Sequence, residues 1–405
     1  MSLQIPDPVL GAWAKGFPAR VGGLRLSELA DAGLHLSDLP TPVLTVHEQA
    51  LAHNERTVFE WAAAQGVLLA PHGKTTMAPA LWQRLLDAGA WGLSVATPWQ
   101  AGVAIESGVR TVLIANSVTD ASAAAHIATL LAADQELRVL CWADSVDTVA
   151  LLAEAFAGAP RALDVLVELG GAGGRTGARS IAEGEGIAAA IQASPSLRLA
   201  GVAGYEGPFG ADRSAASVAA VDAFLSTLVG LHSRLDYPAG SRPVLSAGGS
   251  SFPDRAAAVL APHRGTANVV LRSGAFQIHD DGFYSRMSPF GPLTGTASLR
   301  SAMHVWARVL SRPEPGLALL DAGRRDVPFD IDLPVPHSVN GRVTALNDQH
   351  AFLALDGDQD VAVGDIVRLG LSHPCTAFDK WRVVAVIDDP EAADPRVIGA
   401  VATCF

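Results

Sequence analysis

The chain has 405 residues, 49% of them apolar and 17% charged, which is ample for a large globular core. A formal net charge of -12 with no basic block excludes the electrostatic footprint of a nucleic-acid or anionic-membrane partner, leaving small molecules as the expected ligands. No basic, apolar leader opens the sequence and charges interrupt each Ala-rich stretch, so no membrane partner and a cytoplasmic location are expected.

In chain order, residues 1–45 read as an N-terminal extension. With "TPVLTVH" (41–47) behind it, this segment is expected to contribute to a second domain. From residue 67 to residue 276 one pattern repeats, a short apolar run followed by an Ala-rich helical stretch. The strand candidates are "VLLAPH", "WGLSVAT", "TVLIANS", "RVLCWADS", "LDVLVELG", "LAGVAGY", "PVLSAGGS" and "NVVLRSGAF". Their continuous apolar character suits a parallel sheet covered on both faces. Helical signatures lie between them at 78–90, 97–108 and 211–235, the first two stopped by Gly89 and Gly108. Eight such units predict an α/β fold, a closed (β/α)8 TIM barrel assigned to residues 46–290. After residue 290, "HVWARVLSR", "LALLDAG", "GRVTALNDQHAFLAL", "DIVRLGLSH" and "KWRVVAVI" are short strands split by Gly, Asn, Asp and Pro, predicting a mostly antiparallel β domain over 291–405.

Residues with chemical potential fall at strand ends. Only Lys15, Lys74 and Lys380 are lysines, and Lys74 stands in "PHGKTTMAP" after the first barrel strand. Lysine can form a Schiff base with a carbonyl group and can act as a base once released; alternatively, its stem covers apolar surface while the ammonium stays wet. Arg175 follows the fifth strand, Tyr205 ends the sixth, and Gly248, Gly249 and Ser250 end the seventh, all at the C-terminal mouth where barrel active sites lie. "SAGGSSF" can present backbone N–H groups to a phosphate or be an ordinary loop. "GGAGGRTG" (170–177) lacks the spacing of a dinucleotide fingerprint. In "LSHPCTAFDKW" (371–381), His373 and Cys375 would point the same way if extended, and imidazole with thiolate suits zinc, although two residues are half a tetrahedral set. The three cysteines form no disulfide framework, and Cys141 and Cys404 read as simple thiols.

The segments "DLPTPVLTV" (38–46), "PHGKT" (71–75), "ELGGAGGRTG" (168–177), "SAGGS" (246–250) and "HPC" (373–375) together resemble the fold-type III pyridoxal-phosphate enzymes, within the D-serine dehydratase and D-threonine aldolase-like group. "PHGKT" is the specific motif. The resemblance implies an alanine racemase-like barrel with a C-terminal metal-bearing β domain, and pyridoxal 5'-phosphate held as a Schiff base by Lys74. It also implies that His72, Arg175 and Tyr205 line the cofactor pocket, and that Gly248 to Ser250 hold its phosphate. His373 and Cys375 match a zinc pair of the dehydratases; aldolases more often carry aspartate where Cys375 stands. The implied reaction is dehydration and deamination of D-serine, D-threonine or 3-hydroxy-D-aspartate to a 2-oxo acid and ammonia. Retro-aldol cleavage to glycine and an aldehyde, racemisation, and non-enzymatic cofactor binding are the alternatives. A homodimer is expected by the same resemblance. The ending "GYEGPFG" departs from the histidine-containing form of the dehydratases.

Overall fold

The computed structural model describes residues 2–357 and 359–405. Two compact units emerge: one holds residues up to Gln4, Phe59–Lys74 and Gln83–Gly274, and the other Ile5–Val58, Thr75–Trp82 and Ala275–Phe405. Segments 46–58, 75–82 and 275–290, expected with the barrel, therefore group with the second unit.

The chain enters through strand β1 (Val43–His47) and helix α1 (Glu48–Gln65). The barrel strands follow: β2 (Leu68–Leu69), β3 (Leu93–Val95), β4 (Thr111–Ser117), β5 (Arg138–Ala143), β6 (Leu163–Leu169), β7 (Leu197–Gly204), β8 (Val244–Ala247) and β9 (Asn268–Leu271). All neighbouring pairs are parallel, in the order β2-β9-β8-β7-β6-β5-β4-β3. The ends of that order meet through a parallel bridge between His72 and Ser94, with Trp91 N–H donating to the Leu69 carbonyl at 2.8 Å and Ser94 N–H to the Pro71 carbonyl at 3.0 Å. Inside lie Ala70, Leu113, Leu140, Leu166, Val244 and Val270, the apolar runs that marked the strands.

Helices α2 (Pro79–Asp87), α3 (Pro98–Glu106), α4 (Ala121–Ala133), α5 (Val146–Ala155), α6 (Ile181–Ala193), α7 (Ala215–His232) and α8 (Pro253–Leu260) alternate with these strands. Thr97, Asp120, Ser145, Ser180 and Ser214 each accept a backbone N–H in the first turn of the helix that follows, satisfying a donor the helix cannot. Gly108, at φ +103°, lets the chain turn left-handed after α3. By length and composition α7 could cross a membrane, yet it buries Val221, Phe224, Leu225, Leu228 and Leu231 and packs on α8 and β7. It is a barrel helix.

Beyond a short helix, α9 (Phe283–Met287), come β10 (Met303–Glu314), β11 (Leu317–Leu320), β12 (Val335–Pro336), β13 (Gly341–Leu346), β14 (Ala351–Leu355), β15 (Ile366–Gly370), β16 (Val383–Ile387) and β17 (Val397–Ala402). With β1 they form a mostly antiparallel sheet. β1 runs antiparallel to β10, Val43 opposite Trp306, and parallel to β16. "GRVTALNDQHAFLAL" is the hairpin β13–β14, whose alternating Ala351, Leu353 and Leu355 face the core. The barrel with a second antiparallel β domain expected from the sequence is the observed fold.

Candidate cofactor and metal centres

Lys74 lies in a 3-10 turn, Gly73–Thr75, just past β2. Lys15 pairs with Asp326 at 3.0 Å and lies over the Trp381 ring, and Lys380 pairs with Asp379 at 3.2 Å. Among the described residues Lys74 has no ion-pair partner. The backbone of His72 is packed against Gly274, where a Cβ would stand 2.6 Å from the His72 carbonyl oxygen and 2.7 Å from its nitrogen. Burial, then the positive charges of Lys74, Arg272 and Arg175, holds the His72 imidazole well below its ordinary pKa. Its Nδ1 is buried without a hydrogen-bond partner. Three cations thus converge on one neutral, under-satisfied imidazole.

Arg175 is exposed, its guanidinium 4.8 Å from the centre of the Tyr205 ring. Tyr205 in turn covers Gly249, where a Cβ would lie 2.7 Å from the ring, and Gly248 has φ +86°. These two positions require glycine. Ser250 follows, half-buried, in the same turn. The structure thus gathers Arg175, Tyr205 and the glycine turn, and His72 senses both Lys74 and Arg175.

Three residues of this unit escaped sequence reasoning. Glu206, fully buried, accepts the Gly248 N–H at 3.0 Å and the Gly249 N–H at 2.5 Å, so those amides meet a phosphate only in exchange for this carboxylate. Burial raises the Glu206 pKa against these bonds and Arg272. Arg272, at the end of β9, donates to Ser246 Oγ at 2.5 Å and the Gly204 carbonyl at 2.6 Å; burial brings it down to about 10, so it stays cationic at neutral pH. Glu168, within β6, accepts from Thr176 Oγ1 at 2.7 Å through Oε1 while its buried Oε2 is unpartnered, and burial lifts its pKa to about 7. A charge inside an apolar barrel strand, as in "LVELG" or "VVLRSG", was the available signal. Orphaned buried atoms, converging cations and a glycine cradle fit an anionic, carbonyl-bearing cofactor.

In the β unit, Pro374–Thr376 is a 3-10 turn, so the extended geometry expected for His373 and Cys375 does not occur. The two side chains meet regardless, because His373 adopts a left-handed backbone, φ +64°, rare outside glycine. Asp280 holds that conformation by accepting the His373 N–H at 2.8 Å, together with the N–H groups of Gly282, Tyr284 and Ser285. His373 Nδ1 meets Asp330 Oδ2 at 2.5 Å, and Thr376 donates to Asp330 Oδ1 at 2.8 Å. A hydrogen bond to the Cys375 sulfur foremost, aided by Asp330 and against burial, pushes the His373 pKa up to about 9. Thr75 Oγ1 lies 3.3 Å from Cys375 Sγ. Asp330 fixes one ring nitrogen of His373, as a carboxylate does for imidazoles in metal sites, and His373 with Cys375 is a nitrogen–sulfur pair of the kind that suits zinc. By contrast, Cys141 is sealed in the barrel, its thiol pushed up to about 12 by burial.

Residues 302–387 match the putative serine dehydratase domain. A D-threonine aldolase of an Arthrobacter species is 25% identical over 383 residues, covering 94% of this chain and 97% of that protein. The chain is similar to proteins of the D-serine dehydratase and D-threonine aldolase-like group over most of its length. A second relative in the group, a 3-hydroxy-D-aspartate aldolase of Paracoccus denitrificans, is 25% identical over 362 residues, 87% of this chain and 90% of that one. The crystal structure of D-threonine aldolase from Filomicrobium marinum superposes with a TM-score of 0.79 at 26% identity, covering 92% of this chain and 97% of the other. Members of the group with which this chain aligns are enzymes.

Proposed function

We propose that this chain is a pyridoxal-phosphate- and zinc-dependent lyase that converts a β-hydroxy D-amino acid to a 2-oxo acid and ammonia. The observation that carries the reading is Lys74, the one lysine without a carboxylate partner among the described residues, at the end of the first barrel strand and sharing with Arg175 and Arg272 an influence on His72. Lys74 Nζ would hold the cofactor's carbonyl carbon and, once displaced by the substrate amine, take the α proton. When bound, the cofactor supplies a ring that delocalises the charge left on Cα. Tyr205 and Arg175 would flank it, and the Gly248–Ser250 turn would meet its phosphate as Glu206 yields the two amides. Glu168, with a pKa raised to about 7 by burial and an unpartnered Oε2, would exchange a proton within the barrel mouth.

His373 and Cys375 would hold the zinc. A thiolate selects zinc over magnesium, and the metal when bound supplies Lewis-acid polarisation of the substrate's β-oxygen. Cysteine at position 375, where aldolases more often carry aspartate, favours dehydration. Retro-aldol cleavage is the second reading, favoured by the 25% identity to D-threonine aldolase along 94% of the chain. The holoenzyme incubated with D-serine, D-threonine and 3-hydroxy-D-aspartate separates them: ammonia with equimolar 2-oxo acid is expected. Glycine with an aldehyde as the main products would replace dehydratase by aldolase, and no turnover across the panel would leave a cofactor-binding protein. A homodimer, tested by light scattering across a dilution series, and a cytoplasmic location complete the proposal.

A further inference from the structure

A separate cluster in the β unit has no place in the chemistry above. Asp281 lies just before α9, His304 is the second residue of β10, and His337 follows β12. One donor atom of each lies within 4.8 Å of the other two. His304 Nε2 stands 3.4 Å from Asp281 Oδ2, and His337 Nε2 stands 3.4 Å from Asp281 Oδ1.

That spacing is informative. A charge-assisted hydrogen bond between imidazole and carboxylate closes to about 2.7–2.9 Å. Two donors each about 2.0–2.1 Å from a tetrahedral zinc are separated by about 3.3–3.4 Å. His304 is only 5% exposed, yet its Nε2 and Asp281 Oδ2 are both buried without a hydrogen-bond partner. Buried polar atoms left this way are costly unless something else satisfies them.

The surroundings prepare the ligands. His47 Nε2 lies 3.2 Å from His304 Nδ1 and 3.3 Å from Thr45 Oγ1, which itself accepts from Trp306 Nε1 at 2.9 Å. In the tautomer with His304 Nδ1–H donating to His47, the lone pair of His304 stands on Nε2, facing Asp281. Gly370 leaves the space: a Cβ there would lie 2.5 Å from His337 Nε2 and 2.6 Å from Asp281 Oδ2. The nearby Arg368 cation is paired with Glu391 at 2.5 Å, which offsets its repulsion of a metal ion. His337 is the more exposed ligand, its side chain 29% accessible, and provides the entry side.

We infer that Asp281, His304 and His337 form a divalent transition-metal site, distinct from the His373–Cys375 pair, with His47 as its orienting residue. Two imidazoles and one carboxylate suit zinc, cobalt or iron, and three protein ligands leave a position open to water. The site is independent of the reaction proposed above, since none of its residues is assigned to that reaction.

The test is equilibrium dialysis of the full-length holoenzyme against Co2+ alone, then Zn2+ alone, with metal quantified by mass spectrometry and the cobalt spectrum recorded. Two equivalents per chain are expected. Cys375→Ala should retain one, whose cobalt spectrum lacks thiolate charge transfer. In that background His337→Gln should remove the remaining equivalent, and Gly370→Ala should do so while changing no ligand. His47→Gln should weaken it about 10–100-fold, as expected for loss of an orienting partner. Near-UV circular dichroism verifies folding, and His337, being partly exposed, provides the variant least prone to unfold. A Cys375→Ala protein that binds no cobalt, or one whose cobalt persists unchanged in folded His337→Gln, would overturn the site and leave Asp281 as an anion shared by two imidazoles.

Discussion

In the barrel unit the buried carboxylates of Glu168 and Glu206 share their surroundings with Arg272, Thr176 and the amides of a glycine turn, whereas in the β unit the carboxylates of Asp281 and Asp330 face imidazoles. The first arrangement gathers fixed cations and N–H donors, a setting for an anion that carries a carbonyl. The second gathers lone pairs on nitrogen, oxygen and sulfur, a setting for a cation. The histidines do not divide in the same way. His232, a barrel imidazole, meets Tyr237 OH at 2.8 Å and is lowered to about 4 by burial and by His263; in the β unit burial likewise lowers His47, His304 and His279, and His373 is raised by its sulfur and carboxylate partners. Two ligand chemistries are thus prepared in two separately cored units.

The largest expected effect breaks the barrel side alone. Lys74→Ala should lower kcat/KM by at least about 10³-fold and abolish the visible chromophore, as loss of a covalent anchor and base requires, while bound metal stays unchanged. Steady-state assays, absorbance and metal analysis on one preparation measure all three. Next, Asp330→Asn should leave the chromophore intact but weaken metal binding about 10–100-fold in competition with a chelator, because His373 loses the acceptor that orients its ring.

The third effect concerns pH. His232 has a folded pKa near 4, below the unfolded value of about 6.5, so between those values the unfolded chain binds more protons. Stability therefore falls as pH is lowered from about 6.5 to 4, by about 2 kcal/mol after allowance for solvent screening, and no further from this group below that window. His232→Gln should flatten that slope in denaturant titrations at stepped pH. Smallest, Gly248→Ala forces a side chain onto φ +86° and should weaken cofactor binding about tenfold by dialysis, leaving metal content as it was.

Much of this division was readable from residue order, for physical reasons. Parallel barrel strands are apolar on both faces, so "TVLIANS" could be bounded at Thr111–Ser117, as observed. The rule that barrel chemistry gathers at strand ends selected Lys74, Arg175, Tyr205 and Gly248 from local position alone. Glu206 adjoins Tyr205, but its grip on the glycine turn needs two strand ends brought side by side, which adjacency in the chain does not reveal. In the β unit His373 and Cys375 were legible because they are two residues apart. His47, Asp281, His304 and His337 were not, since β1, β10 and the segment after β12 become neighbours only through sheet pairing. The extended geometry assumed for "HPC" failed because Asp280, far away in sequence, holds His373 in a left-handed conformation.

Lys74 is proposed to carry the carbonyl cofactor in the barrel unit. Reduction of the holoenzyme with borohydride, followed by proteolysis and peptide mass mapping, tests it directly because the chain has only three lysines to distinguish. One phosphopyridoxyl group per chain is expected, on the peptide containing Lys74, with Lys15 and Lys380 unmodified. A modification shared among the three lysines, or an active protein in which Lys74 is recovered unmodified, would contradict it.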